Sequence, residues 1–206
     1  MPAELILIHP KNPPGRDIAR VVEVLRNGGI VIYPTDSVYG IGCDITKSRA
    51  VEKIAHYKGV KVEKANFSFI FSDMAHIADY TAPLNKEVFK LLKHNLPGPF
   101  TFILEADNNV PKLFKNNKRT IGIRIPDNNI PRAIVEALGN PILTTSLHDE
   151  DELVDYTTDP ELIYERFKNW ADVIIDGGPG NNVPSTIVDC TSGQPEIVRQ
   201  GIGELQ

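Results

Sequence analysis

Polar side chains that could act in chemistry cluster directly after an apolar run near the start of the chain. They are Thr35, Asp36, Ser37 and Tyr39, placed between Pro34 and Gly40. The apolar run at residues 30–33 is rich in β-branched residues and too short for a helix, so it predicts a buried strand that ends at Pro34. Open α/β sheets bind ligands beside strand ends, and Gly40 and Gly42 would let the backbone approach a ligand closely. The alternative is an ordinary turn in which Asp36 and Ser37 cap the segment that follows.

A second candidate is the arginine within residues 120–126, Thr-Ile-Gly-Ile-Arg-Ile-Pro. Strand alternation places Thr120, Gly122 and Arg124 on one face and the isoleucines on the other. A buried guanidinium needs a partner, and its planar fork suits a carboxylate or a phosphate. The segment therefore indicates either an anion-binding Arg124 or an internal ion pair of Arg124 with Asp36 or Asp189.

The sequence lacks motifs for metal-dependent or covalent catalysis. Residues 177–180, Gly-Gly-Pro-Gly, have no phosphate-loop pattern, and we interpret them as a turn. The acidic run at residues 148–152 lacks the order of a calcium loop, and the histidines lie far apart. Neither a GxSxG motif nor a cysteine nucleophile motif is present. We therefore predict no metal ligand and no residue that forms a covalent intermediate.

Charge and cysteine content limit the classes of partner and compartment. The 206 residues carry a formal net charge of -5, which argues against coating of nucleic acid by the whole surface. Basic residues concentrate at residues 49–64 and 112–124, and they predict either a positive concavity for a nucleotide or RNA, or two solvated faces. Cys43 and Cys190 lack metal-ligand spacing and are predicted to be reduced core thiols. No apolar run approaches the roughly 18 residues that span a bilayer, and no signal-like segment opens the chain, so we expect a soluble cytoplasmic protein.

Hydrophobic spacing predicts an alternation of strands and helices without internal repeats. Strands are predicted at residues 5–9, 30–33, 66–71, 100–105, 120–125, 142–145, 173–175, 185–189 and 196–199. Helices are predicted at residues 17–26, 48–57, 73–80, 85–94, 130–138 and 161–170. Helices and strands alternate early and strands dominate late, which indicates an α/β fold with a mixed β-sheet flanked by helices. Without a visible linker, residues 1–206 are expected to form a single domain.

Six segments form a recognisable set in order and spacing. They are PTDSVYGIG at residues 34–42, PGPFT at 97–101, TIGIRIP at 120–126, TTS at 144–146, PSTIVD at 184–189 and VRQG at 198–201. The set resembles the YrdC-like family of threonylcarbamoyl-adenylate synthases over residues 18–203. The opening Ile-His-Pro and the Asn-Phe-Ser-Phe of residues 66–69 look closest to the YciO branch of this family.

The resemblance implies a single YrdC-like domain, whose twisted mixed sheet bears a large concave basic cavity. It implies a nucleotidyltransferase that condenses L-threonine, bicarbonate and ATP into threonylcarbamoyl-AMP and pyrophosphate, usually with Mg²⁺, for transfer to adenosine 37 of tRNA. Threonine would be bound by Thr35, Arg124, Ser146 and Ser185. The nucleotide would be bound by Lys58, Lys61, Thr120, His148 and Arg199.

Two departures from the family pattern leave a second function open. Family synthases have a Lys-x-Arg pair where this chain reads Lys58-Gly59-Val60-Lys61, and a lysine offers a point charge where arginine grips two phosphate oxygens. The family Ser-x-Asn motif reads Ser146-Leu147-His148. The alternative is a non-catalytic protein that holds tRNA or double-stranded RNA in the same cavity.

Overall fold

The computed structural model describes residues 1–65, 67–111, 114, 119–147 and 157–206. Its strands are β1 (Glu4–Leu7), β2 (Val31–Tyr33), β3 (Gly40–Asp44), β4 (Ser68–Ile70), β5 (Phe100–Glu105), β6 (Thr120–Arg124), β7 (Ile142–Ser146), β8 (Val173–Asp176), β9 (Thr186–Asp189) and β10 (Glu196–Arg199). Its α-helices are α1 (Gly15–Arg26), α2 (Ser48–Tyr57), α3 (Lys86–Asn95), α4 (Asn129–Leu138) and α5 (Pro160–Phe167). Short 3₁₀ turns occupy Val62–Lys64 and Ile77–Asp79.

The strands of the described ranges join one ten-stranded sheet in the order β1-β8-β2-β3-β7-β4-β6-β5-β9-β10. β8 pairs in parallel with β1 and β2, β4 with β6, and β5 with β9, whereas the remaining pairs are antiparallel. The sheet is therefore mixed, as the sequence predicted. The order also brings β7, β4, β6, β5, β9 and β10 side by side, although they span the chain from residue 68 to residue 199.

Helices cover both faces of the sheet. The apolar stripe of α1, at residues 18, 21, 22 and 25, packs with α4 in one core cluster. Residues of α2, α3 and α5 belong to the cluster on the other face. The ends of α4 follow from its sequence, because the Asn128 side chain accepts the Ile130 N–H at the start and Gly139 adopts a left-handed φ of 87° at the end.

Besides shifts in the bounds of several elements, β3 and residues 73–80 differ in type from the sequence expectation. β3 was not predicted, because its glycines interrupt the strand pattern, and Gly40 and Gly42 pack under the ring of Tyr33. A Cβ on Gly42 would lie 2.9 Å from a Tyr33 ring carbon and 2.7 Å from the Leu143 carbonyl oxygen. These glycines therefore make room for the Tyr33 ring rather than for a ligand. The helix predicted at residues 73–80 is reduced to the 3₁₀ turn Ile77–Asp79.

Both cysteines are free and buried, as predicted for core thiols. Burial raises the pKa of the Cys43 thiol and raises that of Cys190 to about 11. Across the described ranges, no helix combines the length and apolar character needed to cross a bilayer.

Candidate active site

A cavity of about 450 Å³ opens over the sheet where β7, β4, β6, β5, β9 and β10 lie side by side. Its polar wall is made largely of hydroxyl groups. They belong to Ser68, Thr101, Thr144, Thr145, Ser146 and Ser185. Gly122 of β6 makes room for two of these side chains, since a Cβ there would lie 2.6 Å from the Ser68 Oγ and 3.3 Å from the Thr101 Cγ2. The wall offers many neutral donors and acceptors to a small polar ligand.

Cationic side chains reach the cavity from separate parts of the sequence. They are Lys58, Lys64, Arg124 and Arg199. Neither Asp nor Glu is among the described residues that line it. The described lining therefore favours an anionic ligand over a cationic one.

Arg124 is the most buried of these cations, with a side chain that is 9% exposed. Its Nη2 donates to the Asp36 Oδ1 at 3.0 Å and to the Ser37 Oγ at 3.0 Å. Its Nε is buried and has no hydrogen-bond partner among the described residues. A buried donor without an acceptor is unfavourable, so this N–H is suited to an acceptor on a ligand.

The internal ion pair with Asp36, left open by the sequence, is present. Burial raises the pKa of the Asp36 carboxyl above its usual range, while Arg124 and the Asp127 N–H act in the opposite direction. The Asp36 Oδ2 accepts that N–H at 2.7 Å. Arg124 thus both pairs internally and lines the cavity.

The structure brings most of the expected threonine-binding residues to one cavity. Arg124, Ser146 and Ser185 line it directly. Thr35 does not line it, and its Oγ1 donates to the Val38 carbonyl at 2.7 Å and accepts the Ser37 N–H at 3.0 Å. The Thr35 Oγ1 lies 3.2 Å from the Ser37 Oγ, which accepts from the Arg124 Nη2. Thr35 is thus linked to Arg124 by hydrogen bonds through Ser37.

The expected nucleotide-binding residues are more scattered. Lys58 and Arg199 line the cavity, and Arg199 also donates to the Ser185 carbonyl at 2.8 Å. Lys61 is exposed and precedes the turn Val62–Lys64 without lining the cavity. Thr120 begins β6 opposite Glu105, about 13 Å of strand from Arg124, and does not line it either. His148 falls outside the described residues.

Several lining residues had not been assigned a role from the sequence. The Thr101 and Ser185 hydroxyls are hydrogen-bonded at 2.8 Å, and the Thr144 Oγ1 accepts from the Tyr33 hydroxyl at 2.6 Å. Thr101 and Thr144 belong to the recognised segments 97–101 and 144–146, which was the available signal. Lys64 belongs to the basic concentration at residues 49–64, and Phe67 to the segment 66–69 that resembles the YciO branch.

The lining gives little support for a protein-held Mg²⁺. No group of three or more His, Cys, Asp or Glu side chains that could hold a metal occurs in the part of the chain that the structure describes. Mg²⁺ favours carboxylate and phosphate oxygens, and the described cavity wall supplies only hydroxyl and backbone oxygens. The residues present therefore do not fit a dedicated magnesium site.

Comparison with known proteins identifies the family. The family model for the Sua5, YciO and YrdC proteins, described as telomere recombination, matches residues 23–201. The chain belongs to the Sua5/YciO/YrdC family. The resemblance drawn from the six sequence segments is confirmed.

Individual relatives agree with this membership. The uncharacterized protein YciO of Escherichia coli K12 is 38% identical over 206 residues, which cover 99% of this chain and 98% of YciO. The crystal structure of E. coli YciO matches with a TM-score of 0.90 over 98% of this chain and 97% of that chain. The mixed α/β fold flanked by helices is thereby confirmed.

Synthases of the family are more distant. The threonylcarbamoyl-AMP synthase of Nitrosococcus oceani is 29% identical over 182 residues, which cover 88% of this chain and 97% of the synthase. P. abyssi Sua5 complexed with L-threonine matches with a TM-score of 0.85 at 25% identity, over 98% of this chain and 62% of the Sua5 chain.

Proposed function

We propose that this family member is a cytoplasmic nucleotidyltransferase of the threonylcarbamoyl-AMP synthase type. It would condense L-threonine, bicarbonate and ATP into threonylcarbamoyl-AMP and pyrophosphate, for threonylcarbamoyl modification of adenosine 37 of tRNA. The observation that carries the proposal is the buried Arg124 Nε–H, which has no acceptor among the described residues and belongs to a side chain that lines a hydroxyl-walled cavity. The carboxylate of an amino acid substrate is an acceptor of the right charge for it.

The threonine is proposed to bind at the Arg124 end of the cavity. Its carboxylate would accept from Arg124, while Ser146 and Ser185 would bind its polar groups. Thr35 would act through Ser37, because its own hydroxyl is engaged with the Val38 carbonyl. Holding an amino acid in one orientation beside a second substrate is itself a large part of catalysis.

The triphosphate of ATP is proposed to bind among the remaining cations. Lys58, Lys64 and Arg199 line the same cavity as Arg124, and they would stabilise charge on the phosphates. Lys61, Thr120 and His148 remain part of the proposed nucleotide set on the sequence resemblance alone. No step requires a covalent intermediate on the protein.

Incubation with ATP, Mg²⁺, labelled bicarbonate and L-threonine tests the proposal by formation of the labelled acyl-adenylate. Arg124→Lys keeps the charge but loses the Nε–H fork, so we expect threonine affinity to fall roughly 10- to 100-fold, the effect of one charged hydrogen bond. Arg16→Ala is the matched control, since Arg16 is exposed at the start of α1 and outside the cavity. Absence of product and of threonine binding in the unmodified protein would reject the proposal.

A non-catalytic RNA-binding role is the second candidate. The concentration of four cations in a cavity whose described lining lacks carboxylates supports it. RNA affinity should then fall steeply as salt rises, whereas threonine binding at a buried site should respond little. Filter binding of duplex RNA and tRNA at low and moderate salt, with Arg199→Ala and Arg16→Ala compared, separates the two.

A further inference from the structure

Asp36 links Arg124 to the loop that follows β6. One carboxylate oxygen accepts from the Arg124 Nη2 at 3.0 Å, and the other accepts the Asp127 N–H at 2.7 Å. Both side chains of the ion pair are 9% exposed. The carboxylate therefore fixes the end of a cavity side chain and the backbone beyond β6 at the same time.

The contact engages the Nη2 of the guanidinium and leaves its Nε without a partner among the described residues. Nη2 donates to both Asp36 and Ser37, while Nε has no partner among the described residues. Because a guanidinium is planar and rigid, holding Nη2 fixes the direction of the Nε–H bond as well. The internal partners thus use one nitrogen and leave Nε available.

The acceptors are themselves held in place. The Thr35 Oγ1 accepts the Ser37 N–H at 3.0 Å and donates to the Val38 carbonyl at 2.7 Å, which closes the segment that carries Asp36. Asp36 does not line the cavity. Asp36 would therefore act on a ligand in this cavity through Arg124 rather than by direct contact.

We propose that Asp36 is a positioning residue, which orients the Arg124 guanidinium so that its Nε–H meets the anionic group of the substrate. This inference rests on the proposed function for the identity of that substrate. Burial raises the pKa of Asp36, so the charge of this carboxylate depends on the two donors that hold it. Loss of the charge would release the guanidinium from its fixed direction.

The test combines arginine side-chain NMR with two ligands that differ only in the carboxylate. The Arg124 Nε–H signal, assigned with Arg124→Lys, is expected to be protected from solvent exchange in the unmodified protein and to lose that protection in Asp36→Asn. L-Threonine affinity should fall about tenfold in Asp36→Asn, roughly the loss of one charged hydrogen bond. L-Threoninamide affinity should fall less, because its neutral carbonyl is a weaker acceptor. Asp127→Asn is the control, because it keeps the backbone N–H that Asp127 donates to Asp36.

The outcomes separate this inference from the proposed function. The Arg124 Nε–H signal could lose its protection from exchange in Asp36→Asn although the unmodified protein binds no threonine. This result would support the positioning role and reject the threonine assignment. The positioning role would be overturned if Asp36→Asn lowered the affinities for L-threonine and L-threoninamide equally. An Nε–H signal unchanged by Asp36→Asn would also overturn it. If Asp36→Asn does not fold, Asp36→Glu keeps the charge on a longer side chain, and the same comparison of the Nε–H signal and the two ligands then decides.

Discussion

Thr101 and Ser185 join their hydroxyl groups at 2.8 Å in the wall of the cavity, although they are 84 residues apart in sequence. Thr101 lies on β5, and Ser185 immediately precedes β9, which pairs in parallel with β5. Both side chains are buried. This hydrogen bond in the cavity wall therefore depends on the pairing of β5 with β9.

Thr101→Val should lower the free energy of unfolding by about 1 kcal/mol, because it leaves the Ser185 hydroxyl without this partner. Ser185→Ala should have a similar effect, and the double variant should lose less than the sum of the two. Urea unfolding of the four proteins measures the coupling. Strict additivity would show that the two hydroxyls do not stabilise one another.

Gly122→Ala should reduce ligand binding more than it reduces stability. The new Cβ would meet the Oγ of Ser68, a residue that lines the cavity, at 2.6 Å. Ser68→Ala in the same protein removes that oxygen and should restore part of the affinity for L-threonine, measured by calorimetry. Gly15→Ala is the control, since nothing lies within 4 Å of its Cβ position. A double variant as weak as Gly122→Ala alone would contradict the explanation.

Gly42→Ala should be destabilising by about 1–3 kcal/mol, the usual range for overpacking. Its Cβ would lie 2.7 Å from a backbone oxygen and 2.9 Å from the Tyr33 ring. Gly40→Ala is the matched comparison on the same strand, where the closest atom would lie at 3.1 Å, so its effect should be smaller. Thermal and urea unfolding of the pair provide the measurement, and equal destabilisation would argue against the closer contacts at Gly42 as the cause.

Alkaline pH should lower the free energy of unfolding. Burial raises the pKa of the Tyr33 and Tyr39 hydroxyls and of the Cys43 thiol, so the folded state keeps protons that the unfolded chain releases. Because the unfolded state then binds fewer protons, stability falls as pH rises through the ordinary thiol and phenol range of about 8.5 to 10 and continues to fall above it. Urea unfolding across this range, followed with absorbance at 295 nm for tyrosine ionisation, tests it. A constant or rising free energy of unfolding would be inconsistent with these buried groups.

The sequence predicted the elements that have clear boundaries. The predicted bounds of α2, β5 and β10 agree with the structure, because each pattern is closed by a turn or a proline. β3 was missed because its glycines are placed for the Tyr33 ring, a contact between neighbouring strands that the local sequence does not show.

The candidate site was predicted only in part, because some of its contacts are likewise not shown by the local sequence. Strand alternation correctly placed Arg124 on the face opposite its isoleucines. The cost of burying an unpaired charge made Asp36 one of two possible partners, and the ion pair is present. It could not show that the Thr35 hydroxyl turns back to its own backbone, or that Lys64 reaches the cavity while Lys61 does not. These outcomes depend on side-chain directions and on a turn, which sequence spacing alone does not determine.

The strand order has a thermodynamic consequence for any molecule held in the cavity. The walls come from strands whose sequence positions run from residue 68 to residue 199, and no short fragment contains them together. A ligand bound there is linked to the global unfolding equilibrium, so it should raise the melting temperature in proportion to the logarithm of its concentration once the cavity is nearly saturated. The melting temperature of the protein thus measures ligand binding in the cavity even when no turnover takes place.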